Sequence, residues 1–335
     1  MKNPKEGLNG SISKRRKAMN VQLFNLPMDI LSRILSELPI NDAIRTSILS
    51  RKWKYVWCSH NNLTFNSATM RKHYFKSTTH YGNGILSDNE FITRVDKVLH
   101  QHSGLGVERM EVKFRLHNKH AYYIDRWVNF AIASKTKELN IHLFGWGKLL
   151  LPRDISYGRV TEEPYNLPSQ LFDAGNGSYL QHLELTSVSL QLPADFNGFR
   201  NLKHLTLVDV SITDEDAQRM LSKCILLEFV EIASCRMITS IQASYPLGQL
   251  KHLVVDNCPL LQEIELNCSL ATLQYTGTVV PLVFASTSRL TNICMKFFSF
   301  HAALDYIVTG FPSTLPRLET LTLICAERGS VTCFL

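Results

Sequence analysis

The chain has 335 residues, 45% of them hydrophobic and 19% charged, with a formal net charge of +7. No apolar run approaches the ~18 residues of a membrane span, the N-terminus lacks the apolar segment of a signal peptide, and the eight cysteines are scattered without a C-x-x-C, which argues against a disulfide framework, a zinc ribbon or a redox motif. The charge is a tail: residues 1–20 hold Lys2, Lys5, Lys14, Arg15, Arg16 and Lys17 against Glu6, and the rest is close to balanced, unlike a nucleic-acid-binding protein.

In chain order, residues 1–20 form this polar, basic tail. Lys14-Arg15-Arg16-Lys17 reads either as a nuclear import signal or as a solubilising run, so the expected location is the nucleus, the cytoplasm or both. Residues 21–66 form a helical module. Pro27 suits the first position of a helix whose apolar residues are Ile30, Leu31, Ile34, Leu35 and Leu38, and Pro39 ends it. Asn41 and Asp42 are expected to cap a second helix carrying Ala43, Ile44, Ser47 and Ile48. Ser50 is expected to cap a third, with Trp53 and Trp57 on one face. Three short helices bury little surface alone. They read either as a subdomain resting on the body of the protein or as a docking module completed by a partner.

The order of residues here, Leu26-Pro27, Asp29-Ile30, Ile34-Leu35, Leu38-Pro39, Asp42-Ala43 and Ser50-Arg51-x-Trp53, resembles an F-box. The resemblance implies that Leu26, Pro27, Ile30, Ile34, Leu38, Pro39 and Trp53 lie in or under a surface that binds the Skp adaptor of a cullin–RING ubiquitin ligase.

Residues 67–105 read as a linker followed by a helix. The linker holds Arg71, Lys72, His73 and Lys76 among Tyr74 and Phe75, and reads as a solvated loop more readily than as a nucleic-acid contact. Ser87-Asp88-Asn89-Glu90 predicts a capping box opening a helix with Phe91, Val95, Val98 and Leu99 on one face. A second helix is predicted from Ile124 through Trp127, Val128, Ala131 and Ile132. Strand-like pieces occur at Val107, Met110 and Val112 and at Leu139, Ile141 and Leu143.

Residues 106–335 then repeat. Leu180-x-x-Leu183-x-Leu185 recurs as Leu202/Leu205/Leu207, Leu227/Val230/Ile232, Leu250/Leu253/Val255, Leu270/Leu273/Tyr275, Leu290/Ile293/Met295 and Leu318/Leu321/Leu323. This is the leucine-rich-repeat form L-x-x-L-x-L-x-x-N/C. Cys235 and Cys258 occupy the N/C slot, where a small polar group can satisfy the backbone as it turns off the strand; Val188, Val210, Thr278 and Ala326 fill the slot elsewhere. Ile238/Ile241 and Leu261/Ile264/Leu266 predict short strands or extended turns on the convex side, and Asp214 to Leu226 a helix capped by Thr213. The expected fold is an α+β repeat architecture: a three-helix F-box followed by an irregular solenoid with a parallel concave sheet. Outward on that sheet should stand His182, Glu184, His204, Thr206, Phe229, Glu231, His252, Val254, Thr272 and Gln274, with Asn292 and Cys294 beyond them. This chemically mixed surface suits the recognition of a protein.

Trp127-Val128, Leu167-Pro168-Ser169-Gln170-Leu171-Phe172, Ser222 to Glu228 and Asn257-Cys258-Pro259 extend the resemblance to plant F-box/leucine-rich-repeat proteins. Many of these carry a C-terminal FBD domain, and none is expected after Leu323, nor is a polar terminal cap. The resemblance implies a substrate receptor of an SCF-type ubiquitin ligase that does no covalent chemistry itself. The alternative is a repeat protein that scaffolds or acts as a decoy without delivering a target. No G-x-S-x-G, H-E-x-x-H, P-loop or G-x-G-x-x-G is present. His100/His102 and His117/His120 lack further ligands at metal spacing. No cofactor, metal, nucleic acid or membrane is expected as a partner.

Overall fold

The structure, a computed structural model, describes residues 26–70, 86–143, 162–172, 179–243, 245–284, 288–299, 306, 317–327 and 330–334. The basic tail and the Arg71–Lys76 stretch lie outside the described residues. Helix α1 (Met28–Ser36) follows Pro27, which takes the capping position with extended ψ rather than the first helical turn. Its apolar residues form two adjacent stripes. Leu31 and Leu35 are buried, while Ile30 and Ile34 stay 41% and 38% exposed.

Helix α2 (Ile40–Arg45) begins directly after Pro39, so Asn41 and Asp42 lie in its first turn and cap nothing; Asp42 instead pairs with Arg45 at 3.0 Å. The reason is Pro39 itself, which supplies a fixed φ and needs no N–H partner. Ile48, expected in the second helix, falls beyond its end and is 86% exposed. The third helical piece is a 3-10 helix, Trp53–Ser59, opened by the Trp53 N–H donating to Ser50 Oγ at 3.4 Å. The tighter winding brings residues three apart into line, and Trp53, Val56 and Trp57 are all buried.

The chain then enters strand β1 (Asn62–Asn66) without a break. Helix α3 (Asp88–Gln101) follows, and the Glu90 N–H donates to Ser87 Oγ at 3.3 Å. The expected reciprocal arm is spent elsewhere, because the Glu90 carboxylate pairs with Arg94 at 2.7 Å. Strand β2 (Arg109–Lys113), helix α4 (Ala121–Ala133, three residues longer at its start than predicted) and strand β3 (Glu138–His142) come next. Beyond them lie β4 (Tyr165–Pro168), β5 (His182–Thr186), β6 (Val188–Gln191), β7 (His204–Val208), α5 (Asp214–Lys223) and β8 (Phe229–Ala233). The remaining strands are β9 (Ser240–Gln242), β10 (His252–Asp256), β11 (Glu263–Leu266), β12 (Thr272–Gly277), β13 (Leu282–Phe284), β14 (Asn292–Phe297), β15 (Thr320–Glu327) and β16 (Ser330–Phe334).

One sheet of eleven strands organises these elements, in the order β1-β2-β3-β5-β7-β8-β10-β12-β14-β15-β16. Every neighbouring pair is parallel except β15–β16. Each Leu-x-x-Leu-x-Leu unit places one strand, its last two apolar residues inward and the alternate residues outward. The antiparallel β16 lies along the outer side of β15, where no cap was expected. On the convex side lie helices α3, α4 and α5, the pair β4–β6, and the short sheet β13-β11-β9. The predicted extended pieces at Ile241 and Ile264 are therefore strands, and Thr213 caps α5 through the Asp216 N–H at 3.2 Å.

Two backbone devices repeat from turn to turn. At the start of the strands two successive amides donate to one carbonyl of the preceding turn, from Glu108 and Arg109 on Asn61 O through Lys203 and His204 on Gln181 O to Glu319 and Thr320 on Thr291 O. At the end of β5, β7, β8 and β10 stands a left-handed residue, Ser187, Asp209, Ser234 or Asn257, with φ between 51° and 56°. Short polar side chains tolerate this conformation. The next residues, Val188, Val210, Cys235 and Cys258, turn inward and are buried. As expected for the slot, the Cys235 thiol lies 3.5 Å from Ala233 O and that of Cys258 3.7 Å from Ile232 O. Thr278 does not fill it, because β12 runs on to Gly277 and Thr278 is exposed, and the side chain of Ala326 lies outside the described residues.

Candidate functional site

Two surfaces stand out, and the sheet joins them. The first is the outer face of the N-terminal helical module. Leu31, Leu35, Ile40, Ala43, Trp53, Val56 and Trp57 are buried. That set uses only one of the two apolar stripes of α1. Pro27, Ile30, Ile34, Leu38 and Pro39 remain exposed and Leu26 is half-buried. Trp53 lies underneath, 4% exposed, with its Nε1–H meeting no acceptor among the described residues. Met28, Ile48, Leu49 and Tyr55 add exposed apolar area to the module. Sequence reasoning missed these four, because in a short helical segment inward and outward apolar residues look alike.

The module is tied to the sheet by more than its chain. His60, 3% exposed, donates from its ring to Leu38 O at 2.9 Å, and His102, 7% exposed, donates to His60 O at 2.9 Å. His102 was weighed as half of a metal pair; its ring is committed to this backbone contact instead. His117 and His120 lie against carboxylates, His117 at 2.7 Å from Glu162 and His120 at 3.8 Å from Asp88. Among the described residues no group of three or more metal-ligating side chains is present.

The second surface is the outward face of the sheet. Its register aligns Asn62, Arg109, Glu138, His182, His204, Phe229, His252, Thr272 and Asn292 in one row across neighbouring strands. Thr64, Glu111, Asn140, Glu184, Thr206, Glu231, Val254, Gln274 and Cys294 form the next row. All twelve outward residues expected from the repeats thus share one face, and none of them is buried. β1 to β3 lengthen that face on the N-terminal side, where Arg109 bridges Glu111 at 3.1 Å and Glu138 at 3.3 Å. A groove of about 560 Å³ opens there, lined by Asn62, Thr64, Arg109, Glu111, Glu138 and His182 among others.

In the first row the rings stack. His182 and His204 lie 4.3 Å apart at 11°, and His204 and Phe229 5.7 Å apart at 21°. Phe229 continues the histidine column across the next strand. Burial, then the adjacent His182, holds the His204 imidazole below its ordinary value. In the second row, burial followed by the like charges of Glu184 and Asp256 pushes the Glu231 carboxyl up. No described helix is long and apolar enough to cross a membrane.

Comparison with known proteins assigns both surfaces to recognised modules. The F-box domain family model matches residues 23–65, and the model described as At1g61320/AtMIF1, LRR domain matches residues 98–333. Among curated proteins of Arabidopsis thaliana, the chain is 28% identical over 252 residues to the F-box/FBD/LRR-repeat protein At1g13570, covering 73% of this chain and 53% of that one. It is 28% identical over 208 residues to the FBD-associated F-box protein At5g56370, covering 62% and 42%. It is 22% identical over 334 residues to the putative F-box/LRR-repeat protein At5g02930, covering 92% and 63%. The chain spans roughly half the length of these relatives.

Proposed function

The chain belongs to the plant F-box/leucine-rich-repeat proteins, with a repeat region of the At1g61320/AtMIF1 LRR-domain family, and from that membership we propose that it is the target-recognition subunit of a Skp–cullin–F-box ubiquitin ligase. One observation carries the reading. The helical module buries Leu31 and Leu35 and leaves Ile30, Ile34 and Leu38 open to solvent. An apolar stripe that the fold itself does not cover calls for a partner that does. In this reading the partner is the Skp adaptor, which seats on Leu26, Pro27, Ile30, Ile34, Leu38 and Pro39, with Trp53 supporting them from beneath. The cullin–RING machinery joins through the adaptor.

The sheet holds the target. Its outward rows offer histidine, carboxylate, amide and aromatic groups in fixed register, a surface that recognises a shape rather than one that performs a reaction. Catalysis is by proximity: a target lysine held near an activated ubiquitin turns a bimolecular encounter into an effectively intramolecular one. The histidine contacts between the module and β1 give the two surfaces a defined spacing.

The test is co-purification with a plant Skp adaptor, comparing the natural chain with a Leu26→Ala/Pro27→Ala/Ile30→Ala variant. Each lost apolar anchor costs about 1–3 kcal/mol, so the triple change abolishes a micromolar complex. If the natural chain fails to capture an adaptor that a control F-box captures, the reading fails.

A further inference from the structure

We infer that the middle of the outward sheet face, from β5 to β10, docks an extended, arginine-bearing segment of the target protein, with the ring column His182–His204–Phe229 as its floor and the carboxylates of Glu184, Glu231 and Asp256 as its charge complement. The inference rests on the receptor reading above and names the class of target which that surface fits.

Charge is the first argument. The outward positions of β5, β7, β8 and β10 hold Glu184, Glu231 and Asp256 and no lysine or arginine. The lysines nearest these strands stand at their starts. Lys251 is committed to Glu228 at 2.8 Å, and Lys203 acts on Glu228 and His204. Glu184 has one basic neighbour, His142 at 3.6 Å. Burial holds that imidazole below its ordinary value, which weakens its pairing with Glu184. At the β1–β3 end of the same face the arrangement is the reverse, with Arg109 satisfying two carboxylates by itself. The negative charge of the central face is therefore local, and no lysine or arginine on the outward positions of β5, β7, β8 or β10 offsets it.

Shape is the second argument, and it selects arginine. The rings of His182, His204 and Phe229 stack across the strands, but among the described residues Phe229 makes no ring contact with His252 on β10. Phe229 ends the stacked column and stays partly exposed. A planar guanidinium suits such a ring, because it stacks on an aromatic surface while its N–H fork reaches a carboxylate. Glu231 stands two residues along the same strand from Phe229 and faces the same way, about 7 Å further on. A neutral His204 adds a ring-nitrogen acceptor beside it. An extended segment places every second side chain on one side at about the same spacing, so successive arginines can follow the carboxylates across the strands.

The experiment uses the full chain and fluorescence anisotropy. The probe is a fluorescein-labelled peptide in which arginine alternates with serine. Controls replace each arginine with citrulline, which keeps the shape and removes the charge, or with lysine. The arginine peptide is expected to bind saturably and to weaken about tenfold or more in a Glu184→Gln/Glu231→Gln variant. It is also expected to weaken in Phe229→Leu, which keeps the apolar volume and removes the ring. Equal binding of the citrulline peptide, or binding that neither variant changes, overturns the inference. Equal binding of the lysine peptide overturns the choice of arginine. Replacing Lys14, Arg15, Arg16 and Lys17 with glutamine in the full chain provides a further control. If that change tightens the arginine peptide, the chain's own tail occupies the face and the proposal of a partner segment fails. Adaptor capture is measured on the same preparations, so loss of the receptor reading registers separately from loss of the peptide site.

Discussion

The ring of His102 donates from Nε2 to the carbonyl of His60 across 2.9 Å, and the ring of His60 donates from Nε2 to the carbonyl of Leu38 across the same distance. Both Nδ1 atoms are acceptors, for Gly104 N–H at 3.0 Å and Asn62 N–H at 3.2 Å, which fixes each ring as the neutral Nε2–H form. Two buried histidines thus link the turn after α1, the approach to β1 and the end of α3.

His102→Leu is expected to cost about 1–3 kcal/mol, since it leaves the His60 carbonyl and the Gly104 N–H without their ring partner in a buried place. Burial, the largest influence, holds the His102 pKa below its ordinary 6.5. The unfolded chain therefore takes up the proton first as pH falls, so the contribution of this ring is complete above pH 6.5 and is lost progressively below it. His120 and His142 act with the same sign, again chiefly through burial. Urea midpoints across pH 5 to 8 check this. His102→Leu should lower the midpoint at pH 8 and flatten its decline in acid, and an unchanged decline would refute the assignment.

The two stripes of α1 separate stability from binding. Ile30→Ala/Ile34→Ala should change the unfolding free energy by no more than about 0.5 kcal/mol per site, because both side chains are already exposed, yet should abolish adaptor capture. Leu31→Ala or Leu35→Ala should cost about 2–5 kcal/mol, because each empties a fully packed position. Denaturation and capture assays on the three variants decide the matter. Equal effects on stability from both stripes would mean that Ile30 and Ile34 are core residues.

Asp216, in the first turn of α5, ties that helix to the chain just after β6, both on the convex side. Its carboxylate accepts the Leu192 N–H at 3.0 Å and the Thr213 hydroxyl at 2.8 Å, and it pairs with Arg219 at 3.0 Å. Asp216→Ala leaves the Leu192 amide without its acceptor and takes one of two carboxylates from Arg219, which keeps Glu215, and is expected to cost about 2 kcal/mol. Thr213→Ala, which removes only the cap, should cost about 1 kcal/mol. Thermal unfolding of the two variants tests the ranking.

The cysteines report the packing. Burial pushes the Cys224 and Cys268 thiols up to about 12, and its Cys258 neighbour, followed by burial, raises that of Cys235. At pH 8 these three should resist iodoacetamide until the chain unfolds, whereas the half-exposed Cys294 should label in the native state. Mass spectrometry of labelled peptides reads the pattern, and native labelling of Cys224 would show that this turn is open.

Much of the architecture is local, and so was legible from the sequence. Leu180/Leu183/Leu185 and its later copies each specify a strand with two inward residues, and stacking copies in parallel is the one arrangement that buries them all. The F-box signature was legible for the same reason, since its prolines and leucines act at short range. What the sequence did not disclose depends on neighbours far along the chain. β1 was hidden because His60 stands where its repeat should begin with leucine, and β3, legible as a strand-like piece, escaped the repeat because Thr136 is in the same place; both positions are buried, and only the fold shows it. Nor could composition say which stripe of α1 faces inward, because Ile30 and Leu31 are equally apolar and only the packing of Trp53 and Trp57 decides between them. The ring column is the clearest case. The sequence set His182, His204 and Phe229 at matching positions in their repeats, but stacking required strands about 4.8 Å apart and in exact register, which is a property of the assembled sheet.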